Sequence, residues 1–160
     1  MQQSSADHPL RWAALAALVA SAAFSTPAGA EHTAQANFLL HCAGCHRIDG
    51  RGFEPEVPDL TRELADMLRV PGGREYLVQV PGASQAPVSD AELTALINLV
   101  VERFAPQAVA RGEAVLTLEE VVRHRARKPL DIFAERARLL ALIEQLGQAD
   151  ALTLEQEDTE

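Results

Sequence analysis

The chain has 160 residues, of which 48% are hydrophobic and 23% are charged, and these proportions exclude both a disordered polymer and a multi-spanning membrane protein. Its length suits one ordinary domain with a smaller additional segment. The formal net charge is −9, which argues against a nucleic-acid partner because phosphate binding requires clustered positive charge. Aromatic residues make up only 4% of the chain, so we expect a large apolar cofactor to fill part of the core.

Residues 1–30 have the pattern of a secretory signal peptide. An apolar run from Trp12 to Phe24 follows Arg11 and precedes Ala28-Gly29-Ala30, an A-x-A ending typical of a cleavage site. The run is shorter than the ~20 residues that cross a bilayer as a helix. We therefore predict export, cleavage near Ala30, and a periplasmic mature protein without a stable membrane span. An uncleaved N-terminal anchor is the alternative.

The segment Cys42-Ala43-Gly44-Cys45-His46 is a C-x-x-C-H sequence, the attachment sequence of c-type haem. On one helical turn, two thiols three residues apart point to the same side. Cys42 and Cys45 can therefore add to the two vinyl groups of one porphyrin. The next residue, His46, then places an imidazole nitrogen under the iron as an axial ligand. The motif predicts one covalently attached haem c.

Other chemistries of this cysteine pair fit the sequence less well. A redox pair of the thioredoxin type requires a preceding strand, whereas the upstream residues 33–40 have helical character. A zinc site requires four ligands, and no second Cys/His pair completes one. The two cysteines are also too close in sequence for a disulfide bond between them to stabilise the fold. A chance match with idle thiols is the remaining alternative.

Residues 31 to about 105 resemble a class I cytochrome c domain. A short helix leads into the haem motif, and a glycine-rich turn, Asp49-Gly50-Arg51-Gly52, follows it. Val57-Pro58-Asp59-Leu60 then enters a helix, and Ser89-Asp90-Ala91-Glu92-Leu93 opens the last one. The resemblance implies an all-α fold in which the first and last helices cross. It also implies that a proline, Pro58 or Pro55, accepts a hydrogen bond from the proximal histidine.

The same resemblance implies a function. It implies that this chain is a one-electron carrier rather than an enzyme. It implies a periplasmic dehydrogenase as donor and a downstream cytochrome or oxidase as acceptor.

Two helices of this domain have clear sequence boundaries. Ser89 and Glu92 form a capping box at the start of the last helix, and Pro106 ends it. Its apolar residues recur at helical spacing: Leu93, Leu96, Ile97, Val100 and Phe104. An earlier helix is predicted from Leu60 to Val70, ended by Pro71-Gly72-Gly73.

The sixth ligand of the iron is where the sequence departs from the family. Val80-Pro81 stands where a Met-Pro pair is expected, and valine cannot coordinate iron. Met67 is a possible distal ligand or a core side chain. His124 is a weaker candidate that we expect on the surface, and His41 is too close to His46 to reach the opposite haem face. An open sixth site that binds gases or peroxide is therefore a second hypothesis.

Residues 106–160 are predicted to form a helical C-terminal extension with an acidic tail. Thr117 caps one helix, with Glu119 and Glu120 in its first turn. A second helix is predicted from Leu130 to about Leu146, with Phe133 on its apolar side and Gly147 at its end. We expect these helices to pack over the haem domain.

The alternative role of the extension is docking. The extension would then bind a partner and make the chain a haem subunit of a larger dehydrogenase complex. The basic stretch from Arg123 to Lys128 would orient that encounter.

Overall fold

The structure is a computed structural model that describes residues 28–53, 55–113, 116–127, 129 and 131–157. Within these residues it contains nine helices and no strand, so the all-α prediction is confirmed. The only β-type pairing among them is an isolated bridge between Phe53 and Val57. Residues 1–27 of the predicted signal peptide lie outside the described residues, and its cleavage stays a prediction.

The helices follow one another through short connections. In chain order they are α1 (Ala28–His41), α2 (Ala43–His46), α3 (Leu60–Met67), α4 (Gly73–Gln79), α5 (Pro81–Ser84), α6 (Asp90–Phe104), α7 (Pro106–Ala110), α8 (Leu118–Arg125) and α9 (Ile132–Glu157).

The core of the predicted haem domain is built on the packing of α1 against α6. The rings of Phe38 and Phe104 lie with their centroids 5.6 Å apart. The guanidinium group of Arg103 lies over both rings, 5.4 Å and 5.3 Å from their centroids, a cation–π arrangement that stabilises the contact. The first and last helices of the cytochrome-like segment therefore meet, as the family resemblance implies.

Both predicted helix caps are present. The Ser89 side chain accepts a hydrogen bond from the Glu92 backbone, and the Glu92 carboxylate accepts one from the Ser89 backbone at 2.8 Å. Thr117 and Glu120 form the same reciprocal capping box at the start of α8. These pairs satisfy backbone N–H groups that have no partner within the helix.

The helix predicted from Leu60 to Val70 is shorter than expected. It ends at Met67, and a run of turns over residues 68–72 leads into α4. A Cβ atom on Gly73 would collide with the Met67 carbonyl oxygen, so the two backbones approach more closely than any other residue allows.

The last helix is longer than predicted. It continues through Gly147 to Glu157, and the surroundings of Gly147 are open. A single glycine costs a helix only about 1 kcal/mol, which tertiary packing overrides. Phe133 is 81% exposed rather than packed on the apolar side, whereas Leu139 is fully buried.

The C-terminal extension packs on the preceding helices. Helix α8 contacts α4 and α6, and α9 contacts α3 and α4. The main apolar core surrounds Phe38 and Phe104. Leu139 of α9 packs in a second apolar cluster, together with Met67, Val70 and Tyr76. The extension therefore contributes side chains to the same folded unit as the haem motif.

Candidate haem site

A cavity of about 380 Å³ lies between the haem motif and the helices that follow it. Ligand pockets in proteins span roughly 300–1,000 Å³, so the cavity has the size of a cofactor site. Its walls come from α2, from α3 to α6, and from the start of α9.

The haem motif forms a single tight turn at the mouth of this cavity. Cys42 precedes α2, and its carbonyl oxygen accepts hydrogen bonds from the backbone of Cys45 at 3.1 Å and of His46 at 2.9 Å. Both cysteines are free thiols and both line the cavity. Burial, with a smaller contribution from Cys45, raises the pKa of the Cys42 thiol above its ordinary value. The structure thus brings the two predicted attachment thiols to one wall.

His46 lines the same cavity and is oriented by Pro58. Its Nδ1 atom lies 3.3 Å from the Pro58 carbonyl oxygen, so Pro58 rather than Pro55 makes this contact. Burial lowers the pKa of His46, although the bond to Pro58 opposes that change. The neutral imidazole then donates from Nδ1 to Pro58, which leaves the Nε2 lone pair for a metal.

The loop after the motif carries Pro58 into place. Arg47 has a φ of 62°, an uncommon conformation for a residue with a side chain, and it reverses the chain directly after His46. The Gly52 backbone then donates to the His46 carbonyl at 3.1 Å, and that of Leu60 donates to Gly50 at 2.9 Å. These bonds fix the position of the loop relative to the motif.

The candidates for the sixth ligand of the iron differ in their position relative to the cavity. Met67 lines the cavity and is only 2% exposed, and it also packs in the second apolar cluster. Val80 lines the cavity without offering a donor, and His41 lies at the wall that holds His46.

His124 is placed differently from what we predicted. It is buried, at 7% exposed, because α8 packs against α4 and α6. It is not among the residues that line the cavity. The neighbouring Arg125 also points inward and is hydrogen-bonded to the protein, so the basic stretch is not a uniform surface patch.

Three polar residues at the cavity were not identified from the sequence. Arg136 donates to both carboxylate oxygens of Glu63, at 3.0 Å and 2.7 Å. Burial raises the pKa of Tyr76, although the positive charge of Arg136 acts to lower it, and the hydroxyl therefore stays protonated. One signal was available: Arg136 interrupts the apolar face of α9 that contains Ile132 and Leu139.

The chemistry of these residues fits haem. The porphyrin ring is apolar, and the cavity walls include Leu64, Leu93, Leu96, Ile97 and Val101. Haem also carries two carboxylates, and Arg136 at the wall is a cation that can pair with one of them. Thiols, an imidazole, apolar walls and a cation therefore converge on one cavity.

Two curated proteins are similar to this chain, and both are named cytochrome c-552. One is from Thermus thermophilus, and the alignment of 124 residues, at 32% identity, covers 65% of this chain and 95% of that protein. The other, from a particular strain of the same species, is 32% identical over 124 residues, covering 65% of this chain and 84% of the relative. No protein-family model and no solved structure matches the chain significantly.

The chain belongs to the class I cytochrome c family. It is thus a c-type cytochrome, an electron-transfer protein with one covalently bound haem c that exchanges electrons with redox partner proteins. Among the described residues, no helix is both long and apolar enough to cross a membrane.

Proposed function

We propose that this protein is a periplasmic monohaem cytochrome that carries single electrons from a periplasmic dehydrogenase to a downstream cytochrome or oxidase. The observation that carries the proposal is the convergence of Cys42, Cys45 and His46 on one cavity of cofactor size. The signal-peptide pattern of residues 1–30 supports export.

Each residue at the cavity has a role in this proposal. Cys42 and Cys45 would form the thioether bonds to the haem, and His46 would bind its iron. The haem supplies the one-electron chemistry. Pro58 holds the His46 ring in one orientation, and Met67 is the proposed distal ligand.

Arg136 of α9 would complete the binding of the cofactor. Arg136 has five N–H donors, so it can bind Glu63 and a cofactor carboxylate together. The apolar walls exclude water, which is one of the ways a protein sets a haem potential.

The test is the double substitution Cys42→Ala and Cys45→Ala, expressed with export and haem-maturation machinery. Wild-type protein should retain haem after denaturing electrophoresis, detected by peroxidase-type staining, and the double variant should not. Retained staining in the variant would contradict the assignment. Gly44→Ala is the matched control, because a Cβ atom at Gly44 meets no other atom within 4 Å, and it should keep the stain.

A second function is favoured by one observation, the presence of Val80 at the cavity wall. An iron without a strong sixth ligand binds diatomic gases or peroxide. Visible spectra of the ferric and ferrous protein, with and without carbon monoxide, separate the two functions. A low-spin spectrum unchanged by carbon monoxide supports the carrier. A high-spin spectrum that shifts supports gas or peroxide binding.

A further inference from the structure

Residues 80–90, here called the wall segment, form one side of the cavity, and Ala83 and Val88 pack against the apolar core. Val80, Pro81, Gly82 and Ala83 line the cavity. The one helix that lies wholly within these described residues, α5, is four residues long, too short to be stable by itself. Something outside the segment must therefore hold it.

Arg125, at the end of α8, supplies that support. Its guanidinium group donates to the carbonyl oxygens of Ser84 at 3.1 Å, Ala86 at 2.6 Å and Val88 at 2.9 Å. It also donates to the Asp90 carboxylate at 2.8 Å. One side chain thus binds four successive points of the wall segment, and it is itself only 17% exposed.

The helix that carries Arg125 is held firmly on the haem domain. Arg74 of α4 makes a two-pronged ion pair with Glu120, with both hydrogen bonds at 3.0 Å. Asn98 of α6 exchanges two hydrogen bonds with the Leu116 backbone, at 3.0 Å and 2.9 Å. The position of Arg125 is therefore fixed from both neighbouring helices.

We propose that Arg125 is a positioning residue that locks the wall segment over the haem cavity and so limits the access of external ligands to the iron. A planar guanidinium with five donors can bind several carbonyls in fixed directions, which a lysine ammonium cannot do. Through this one side chain, the C-terminal extension controls the wall segment. The inference rests on the proposed attachment of haem in this cavity.

The experiment is a titration of the ferric holoprotein with imidazole, followed in the visible spectrum and by stopped-flow mixing. In Arg125→Gln the wall segment should open more often, because the hydrogen bonds from the charged guanidinium group to the carbonyl groups of the segment are lost. The association rate of imidazole should therefore rise by about tenfold or more. Amide hydrogen exchange at Gln85, Ala86 and Val88 should accelerate with it.

Two control variants separate this role from general destabilisation. Arg123→Gln lies on the same helix but removes only an exposed ion pair with Glu119, and it should leave both rates unchanged. Arg103→Gln removes the cation–π contact with Phe38 and Phe104 without touching the wall segment or α8. It should lower the stability of the protein with less than a twofold change in the imidazole rate.

The imidazole binding rate of the Arg125 variants decides whether the inference is correct. If folded Arg125→Gln holoprotein binds imidazole at the wild-type rate, the inference is wrong. If Arg125→Gln does not accumulate, Arg125→Lys replaces it, and an unchanged rate there overturns the inference equally. Absence of covalent haem from the wild-type protein would instead contradict the proposed haem site.

Discussion

Gly52 lies directly against the carbonyl group of Pro58: a Cβ atom on Gly52 would come within 2.6 Å of that oxygen. The same oxygen faces Nδ1 of His46 at 3.3 Å. Gly52 also has a φ of 61°, which glycine adopts without steric cost. The orientation of the proximal histidine therefore depends on the absence of a side chain six residues further along the chain.

Gly52→Ala should move the Pro58 carbonyl away from His46. We expect a loss of about 2–4 kcal/mol in the free energy of unfolding, from backbone strain and the collision. The imidazole also donates electron density to the iron less strongly when the hydrogen bond from Nδ1 to Pro58 is lost. The reduction potential should then rise by roughly 20–60 mV, given 59 mV per tenfold change for one electron.

Denaturant titration and protein-film voltammetry of the holoprotein measure these two effects. Gly147→Ala is the control, since no atom lies within 4 Å of a Cβ atom there and Gly147 does not line the cavity. The reduction potential should stay at the wild-type value and the stability should not fall. A lower potential in Gly52→Ala would contradict the role given to Pro58.

Leu139→Ala should destabilise the whole protein. Leu139 is fully buried against Met67 and Tyr76, so removal of its side chain should cost about 2–5 kcal/mol. Its neighbour Leu140 is 36% exposed, and Leu140→Ala should cost less than about 1 kcal/mol. Denaturant unfolding followed at the haem absorption band gives both values. Equal, small effects would show that α9 does not stabilise the haem domain.

Met67→Leu tests the distal ligand. The substitution removes the sulfur atom but keeps the volume, so the change in packing alone should alter the stability by less than about 1.5 kcal/mol. If Met67 binds the iron, the methionine–iron charge-transfer band should disappear and carbon monoxide should bind the ferrous protein faster. We expect that result. An unaltered spectrum would assign Met67 to the apolar cluster alone and favour the open sixth site.

The capping box of α8 should make stability depend on pH in the acid range. Burial opposes the ionisation of Glu120, but hydrogen bonds from Thr117 and Arg74 and the charge of Arg74 hold its pKa below the ordinary value of 4.5. A carboxyl whose pKa is lower in the folded state stabilises the fold above its unfolded pKa. It loses that contribution as the pH falls through the folded pKa.

The wild-type protein should therefore be more stable than Glu120→Gln by about 1 kcal/mol at pH 7. That difference should shrink when the pH falls below about 4. Thermal unfolding between pH 3 and pH 7 checks this. Glu119→Gln, at a side chain that is 87% exposed, should remain within about 0.5 kcal/mol of wild type at every pH. A constant difference for Glu120→Gln would contradict the prediction.

Local features were predictable from the sequence, and contacts across long distances were not. The capping boxes at Ser89 and Thr117 follow from residues three apart. The pairing of Arg136 with Glu63 joins residues 73 positions apart, and no periodicity specifies it. Arg125 was assigned to a basic surface for the same reason, because only the fold places the wall segment beside it.

The error in the length of α9 has a different cause. Gly147 is a weak helix former, and helix propensity alone ends the helix there. Beyond Gly147, the Asp150 carboxylate accepts a hydrogen bond from the Arg69 guanidinium group at 2.9 Å, which ties the continued helix to the residues that follow α3. Tertiary packing thus outweighed the local preference of a single residue.

Tyr76 gives the protein an intrinsic optical reporter. The sequence contains one tyrosine and one tryptophan, and the tryptophan, Trp12, belongs to the predicted signal peptide. The tyrosine lies in the wall of the cavity, close enough to a bound porphyrin for its ultraviolet emission to be quenched by energy transfer. After removal of the signal peptide, fluorescence at the tyrosine wavelength would rise only from molecules that lack the cofactor or have unfolded. Maturation could then be followed without any added label.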